Sequence, residues 1–178
     1  MRCFIALEVG EDVKQQCLTH IVRLKKMGFQ AKWVEHENLH ITLFFLGEIS
    51  EEQMKRTAEL LKNISFDHFP LLINRLGYFE KYSKPTTVWL GLKKSDPLQQ
   101  LYSKMKTELE AICNQSFSKK FIPHLTLGRI KKTPDDWKDK IKTITVKKEM
   151  LGDIVLSLKS STLTETGPIY KALETKVI

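Results

Sequence analysis

Residues 3–9 (Cys3-Phe4-Ile5-Ala6-Leu7-Glu8-Val9) form a short apolar run, which predicts a first strand. From 12 to 27 the apolar period changes to that of a helix, with Val13, Cys17, Ile21, Leu24 and Met27 on one face. Asp12 stands as its N-cap and Gly28 as its stop. Trp33-Val34 reads as a short extended piece. A second strand runs from His40 to Leu46 and ends at Gly47. Ser50 and Gln53 have capping-box spacing and open a helix over 51–63. Residues 70–79 alternate as another strand.

The second half repeats this order. Residues 86–92 read as a strand. Asp96, with Pro97 at the first helical position, opens a helix with Leu98, Leu101, Met105, Leu109 and Ile112 on one face. Residues 121–130 form a strand, Pro134 and Asp135 open a short helix, and 153–159 and 169–177 read as the last two strands. The offset that carries Asp12 onto Asp96 also carries each other element of the first half onto one of the second, although few residues are identical. The pattern predicts an α+β fold: one domain over 1–178, built from pseudo-repeats at about 1–84 and 85–168. Its expected form is bilobal, a duplicated unit with two antiparallel sheets flanking a central cleft and helices on the outside.

Composition narrows the class. Of 178 residues, 42% are hydrophobic and 28% charged, as in an ordinary globular chain. No apolar run approaches the roughly 20 residues of a membrane-spanning helix. The start of the chain reads as a strand rather than a signal peptide. Cys3, Cys17 and Cys113 form no CxxC pair, so they suggest neither a zinc site nor a disulfide framework but small apolar fillers in a reducing cytoplasm. The net charge of +8 favours polyanionic partners only if a site accompanies it.

That site is suggested by His40-Ile41-Thr42-Leu43 and His124-Leu125-Thr126-Leu127, whose histidines are related by the same offset as the repeated elements. In a strand, residues i and i+2 share a face. His and Thr therefore project into one space while the apolar residues anchor the other face. With 5 His and 14 Thr in the chain, two such motifs arise by chance with a probability of about 5%. A pseudo-two-fold axis would bring both histidines to one cleft. Phosphodiester cleavage needs a base and an acid, and two imidazoles can supply both near neutral pH. Thr42, Thr126 and nearby cations can donate to the phosphate oxygens. No carboxylate stands at ligand spacing from the histidines, so neither a metal nor a cofactor is expected. Phe44 has the strand parity of His40 and Thr42, which would let it stack on a base from the cleft; the alternative for it is a core aromatic. Arg129 has the opposite parity and reaches the histidine face only through a bulge or strand end. His20, His36 and His68 lack the motif and read as surface or loop residues.

These motifs resemble the 2H phosphoesterase superfamily, in particular its RNA 2′,3′-cyclic phosphodiesterase branch, the LigT-like or 2′-5′ RNA ligase family. The resemblance spans nearly the whole chain. It includes Arg2-x-Phe4-Ile5-Ala6-Leu7, Lys32-Trp33-Val34, Asn38-Leu39 before His40, Phe45-Leu46-Gly47, Val88-Trp89-Leu90-Gly91, Pro123 before His124, and Gly128-Arg129. Ser160, Ser161, Leu163 and Gly167-Pro168-x-Tyr170 close it. The resemblance implies hydrolysis of an RNA or nucleoside 2′,3′-cyclic phosphate to a 2′-phosphate. His40 would be the proton donor to the leaving 3′ oxygen and His124 the proton acceptor from water. Thr42 and Thr126 would hold the phosphate, and Arg129 matches the family's His-x-Thr-x-x-Arg pattern. Phe44 departs from it, standing where relatives often carry Lys or Arg, and Gly128 stands where Ala is commoner.

The motifs are near-symmetric, so the residues alone leave the acid and base labels open. The expected partners are RNA ends with a 2′,3′-cyclic phosphate or cyclic nucleotides, with no membrane and no obligate protein partner. Other readings are 2′-5′ ligation or cleavage, another small cyclic phosphate as substrate, and an RNA- or nucleotide-binding module without turnover.

Overall fold

The computed structural model describes residues 1–165 and 167–178. Its elements run β1 (Arg2–Leu7), α1 (Glu11–Lys26), β2 (Gln30–Trp33), β3 (Ile41–Glu48) and α2 (Glu51–Asn63). Then come β4 (Leu72–Lys81), β5 (Lys84–Leu92), α3 (Asp96–Cys113), β6 (His124–Lys132) and α4 (Trp137–Lys142). β7 (Glu149–Met150), β8 (Val155–Leu163) and β9 (Pro168–Val177) complete the chain.

Local chemistry accounts for most helix ends. Ser50 and Gln53 form the full capping box of α2: the Ser50 hydroxyl accepts from the Gln53 N–H at 3.1 Å, and Gln53 Oε1 accepts from the Ser50 N–H at 2.9 Å. Asp12 is not the cap of α1. Gly10 takes that position, and Asp12 joins Glu11 in the first turn, where carboxylates meet the positive end of the helix dipole. Ser95, not Asp96, caps α3 by accepting from the Leu98 N–H, and Asp136 stands at the N-cap position of α4 without a side-chain capping bond. Gly28, at φ +92°, ends the first helical segment. His20 is not on the surface. It is 5% exposed, because its position on α1 falls within the arc of Cys17, Ile21 and Leu24 that packs onto the sheet.

All strand pairs are antiparallel. The order is β7-β4-β5-β6-β3-β1-β8-β9, with β2 also pairing with β6. Two sheets were expected, but the strands form one continuous path. Its two sides meet at β3 and β6 through the pair Ile41↔Leu125. The sides do not coincide with the sequence halves either. A tight turn at Tyr82-Ser83 makes β4 and β5 a hairpin, so β4 lies on the side of the sheet that holds β5 and β6, while β8 lies on the side that holds β1 and β3. The expected repeat boundary falls at this hairpin.

The core lies under one face of the sheet. Ile5, Leu7, Ile41, Leu90, Leu125, Leu127, Leu156 and Leu158 are fully buried, and the apolar faces of the helices pack with them. Burial of each such side chain contributes roughly 1.5–3 kcal/mol. The opposite face at the centre carries the His and Thr residues of both motifs.

Candidate active site

The site grows from the crossing of β3 and β6. Ile41 and Leu125 are 0% exposed and fix both strands to the core. Extending this antiparallel register by one residue sets His40 across from Thr126, and Thr42 across from His124. Side chains directly opposite on one face lie roughly 5 Å apart at Cβ. Each histidine is thereby set against the threonine of the other motif.

Both rings are held in the same way. His40 Nδ1–H donates to the Asn38 carbonyl, and His124 Nδ1–H donates to the Ile122 carbonyl, each at 2.7 Å. A carbonyl can only accept, so Nδ1 carries the proton and Nε2 of the neutral ring is left as the basic atom. Nε2 of His40 accepts from the Thr42 hydroxyl at 3.0 Å. Nε2 of His124 has no hydrogen-bond partner among the described residues. Aromatic rings wall both imidazoles. Phe4 lies 5.0 Å from His40 and Tyr170 5.5 Å, while Phe79 lies 4.9 Å from His124 and Trp89 5.9 Å. This dry setting disfavours the charged form. Burial pushes His40 down to about 4, with Lys159 adding to the effect and the Asn38 bond and Glu8 opposing it. Burial lowers His124 as well, against the Ile122 bond.

A cavity of about 600 Å³ opens beside the crossing. Thr42, His124, Thr126 and Arg129 line it, together with Phe45, Phe79, Thr86, Thr87 and Lys120. The volume suits a nucleotide-sized ligand. His40 does not line this cavity; it meets it through Thr42.

Two bulges decide which side chains reach the cavity. Ile5 pairs with Phe44 and Ala6 with Thr42, leaving Leu43 as an extra residue in β3. Val88 pairs with Gly128 and Trp89 with Thr126, leaving Leu127 as an extra residue in β6. The bulged leucines stand at equivalent places, each immediately after the Thr of its motif. An extra residue reverses the faces of those that follow. Arg129 thus returns to the face of His124 and Thr126 and lines the cavity. The same reversal corrects the expectation for Phe44. It is 1% exposed, stacks on Tyr102 at 4.4 Å with the planes 6° apart, and so turns away from the cleft. Phe45 takes the open position instead, 67% exposed and lining the cavity. The only sequence signal for this swap is that Phe45 and Arg129 occupy equivalent places, each the third residue after its motif threonine. Gly128 has a local reason: a Cβ there would meet the Trp33 ring at 2.7 Å.

One group is invisible to local reading. Glu8 accepts from the Ser157 hydroxyl and pairs with Lys159 Nζ at 2.7 Å, with Lys159 only 13% exposed. Lys159 pairs across β1 with Phe4, the residue whose ring packs on His40. No cluster of three or more His, Cys, Asp or Glu suited to a metal occurs among the described residues. No helix among them is long and apolar enough to cross a membrane.

Comparison with known proteins shows the family and the fold. The 2′-5′ RNA ligase superfamily profile matches residues 13–157. An RNA 2′,3′-cyclic phosphodiesterase of Thermotoga maritima is 42% identical over 97% of this chain and 93% of its own length. One from Archaeoglobus fulgidus is 34% identical over 97% and 98%. Among solved structures, Escherichia coli LigT complexed with 3′-AMP superposes with a TM-score of 0.76 at 22% identity, covering 99% of this chain and 96% of that one. With its two His-x-Thr strands crossed at the centre of an antiparallel sheet, the chain belongs to the 2′-5′ RNA ligase superfamily and, within it, to the family of the RNA 2′,3′-cyclic phosphodiesterases.

Proposed function

We propose that the protein hydrolyses the 2′,3′-cyclic phosphate of RNA or nucleoside ends to a 2′-phosphate, without a metal, by acid–base catalysis between His40 and His124. The observation that carries this reading is the matched pair of Nδ1–carbonyl bonds, which leaves Nε2 as the basic atom of each ring at one strand crossing, unengaged on His124 and holding the Thr42 hydroxyl on His40. In this mechanism His124 Nε2, unengaged at the cavity, takes a proton from water as the water attacks phosphorus. His40 donates a proton to the departing 3′ oxygen. The Thr42 and Thr126 hydroxyls and the Arg129 guanidinium hold the non-bridging oxygens as negative charge grows there.

The environments favour this division of labour. His40, the more strongly desolvated ring, is the stronger acid once protonated, which suits a donor. His124 is lowered less far and keeps more basicity. Both rings are neutral at pH 7 in the free site, and the charge of an entering phosphate favours protonation. Phe45 and Phe79 offer apolar surface for a base beside the phosphate position.

The halves of the chain read best as a duplicated unit around a central cleft. Support comes from the matching bulges at Leu43 and Leu127 and the identical anchoring of both histidines. Three unpaired cysteines, Cys3 and Cys17 among them buried, suit a reducing cytoplasm.

The test is to incubate the protein with 2′,3′-cyclic nucleotides in EDTA. Release of the 2′-phosphate is expected. Nucleotide binding without turnover would reduce the protein to a binding module, and turnover that returns only on adding metal would overturn the metal-free mechanism. The same site can also accept a 5′-hydroxyl in place of water as the nucleophile: its oxygen bonds to phosphorus as the 3′ oxygen leaves, giving the 2′-5′ linkage for which the superfamily is named. RNA halves offered together would reveal that product.

A further inference from the structure

We infer that the β4–β5 hairpin holds the RNA strand upstream of the cyclic end, through Tyr82 at its tip and Lys81 and Lys84 beside it, so that the preferred substrate is an oligonucleotide end rather than a free nucleotide. This rests on the cyclic phosphodiesterase reading above.

The first observation is backbone strain. Tyr82 and Ser83 both adopt left-handed conformations, at φ 51° and 59°. They form the two-residue turn closed by the pair Lys81↔Lys84. Such a turn favours Asn and Gly, because a Cβ is crowded in that conformation. An aromatic residue is a poor choice for the turn itself, and strain kept at a surface point marks a functional candidate. The second observation is exposure. Tyr82 is 88% exposed, more than any other large apolar side chain described. Its only ring contact among the described residues is with Lys81 Nζ, 5.2 Å from the ring centroid. An exposed aromatic flanked by cations is the arrangement that stacks bases and tracks a phosphate backbone.

The third observation is continuity with the site. Phe79 pairs with Thr87, and both line the cavity, as does Thr86. The tip stands three residues, roughly 10 Å, beyond that pair. On β4, Lys81 shares the face of Phe79, and Lys84 lies opposite Lys81. Neither lysine pairs with an acid among the described residues. The nearby Glu80 is turned to the other face, against Lys138 at 3.5 Å. A cationic strip therefore runs from Arg129 and Lys120 at the cavity to Lys81 and Lys84 at the tip. Single-stranded RNA, with a backbone charge and a stackable base at every step, fits that strip.

The experiment compares kcat/KM for a 2′,3′-cyclic mononucleotide and for a trinucleotide with the same cyclic end, in wild type and Tyr82→Ala. Tyr82→Ala should lower the trinucleotide value about tenfold and leave the mononucleotide value unchanged. A double variant, Tyr82→Asn with Ser83→Gly, suits the left-handed turn better. It should raise Tm while losing the same preference, an effect that a structural role for Tyr82 would not produce. Equal effects on both substrates, or none on either, would overturn the hairpin assignment. Wild-type failure on both substrates would instead overturn the activity on which it rests.

Discussion

Ile41 and Leu125 face each other as antiparallel partners where the two sides of the sheet meet. Both are fully buried. The residues on either side of each are the His and Thr of its motif. Extending that register sets His40 against Thr126, and His124 against Thr42, which brings two distant motifs together at one strand crossing.

Replacing either histidine should remove activity without unfolding the protein. His40→Ala and His124→Ala are each expected to cut kcat by about a hundredfold or more, while circular dichroism keeps its wild-type form. Substantial turnover in both single variants would refute the two-histidine mechanism.

The depressed His40 also predicts how stability varies with pH. Its ring titrates near 4 in the folded protein and at its ordinary value of about 6.5 when unfolded. Between these values the unfolded chain binds more protons, so stability is full above about pH 6.5 and falls as pH drops toward 4. His124 is shifted in the same direction. Melting curves from pH 7.5 to 4.5 should show a shallower decline in His40→Gln than in wild type. Parallel curves would mean that His40 is not desolvated in solution.

Lys159 and Glu8 act on His40 with opposite signs. Lys159→Met should move the His40-dependent limb of the pH–rate profile upward, and Glu8→Gln should move it downward. A carbon-bound proton resonance of His40 followed by NMR titration would report the same displacements. Shifts in the same direction in both variants would indicate a general packing defect rather than local charge.

Phe44 and Phe45 should separate stability from function. Phe44→Ala removes a ring stacked in the core against Tyr102 and is expected to cost about 3–5 kcal/mol in denaturant unfolding. Phe45→Ala removes an exposed ring at the cavity. It should leave stability within about 0.5 kcal/mol but raise KM for nucleotide substrates. The reverse pattern would place the β3 bulge elsewhere.

The elements themselves were legible in the sequence because strand and helix periods are properties of the local backbone. The capping box at Ser50 and Gln53 and the alternation around His40 and His124 needed no distant partner to be recognised. The offset shared by the two motifs and the repeated elements pointed to a common cleft. Tertiary pairing decided what local periodicity could not carry. The bulges at Leu43 and Leu127 exist only because β1 and β5 pair beside them. By reversing parity they buried Phe44, exposed Phe45 and turned Arg129 toward the site. The β4–β5 hairpin likewise joined strands from both sequence halves into each side of one sheet, where two separate sheets were expected. Glu8 and Lys159, near opposite ends of the chain, met through the pairing of β1 with β8. The sequence by itself determined which residues could do the chemistry, since side-chain type and period are local. The tertiary structure decided which of them share a face, since that depends on hydrogen-bonded partners far along the chain.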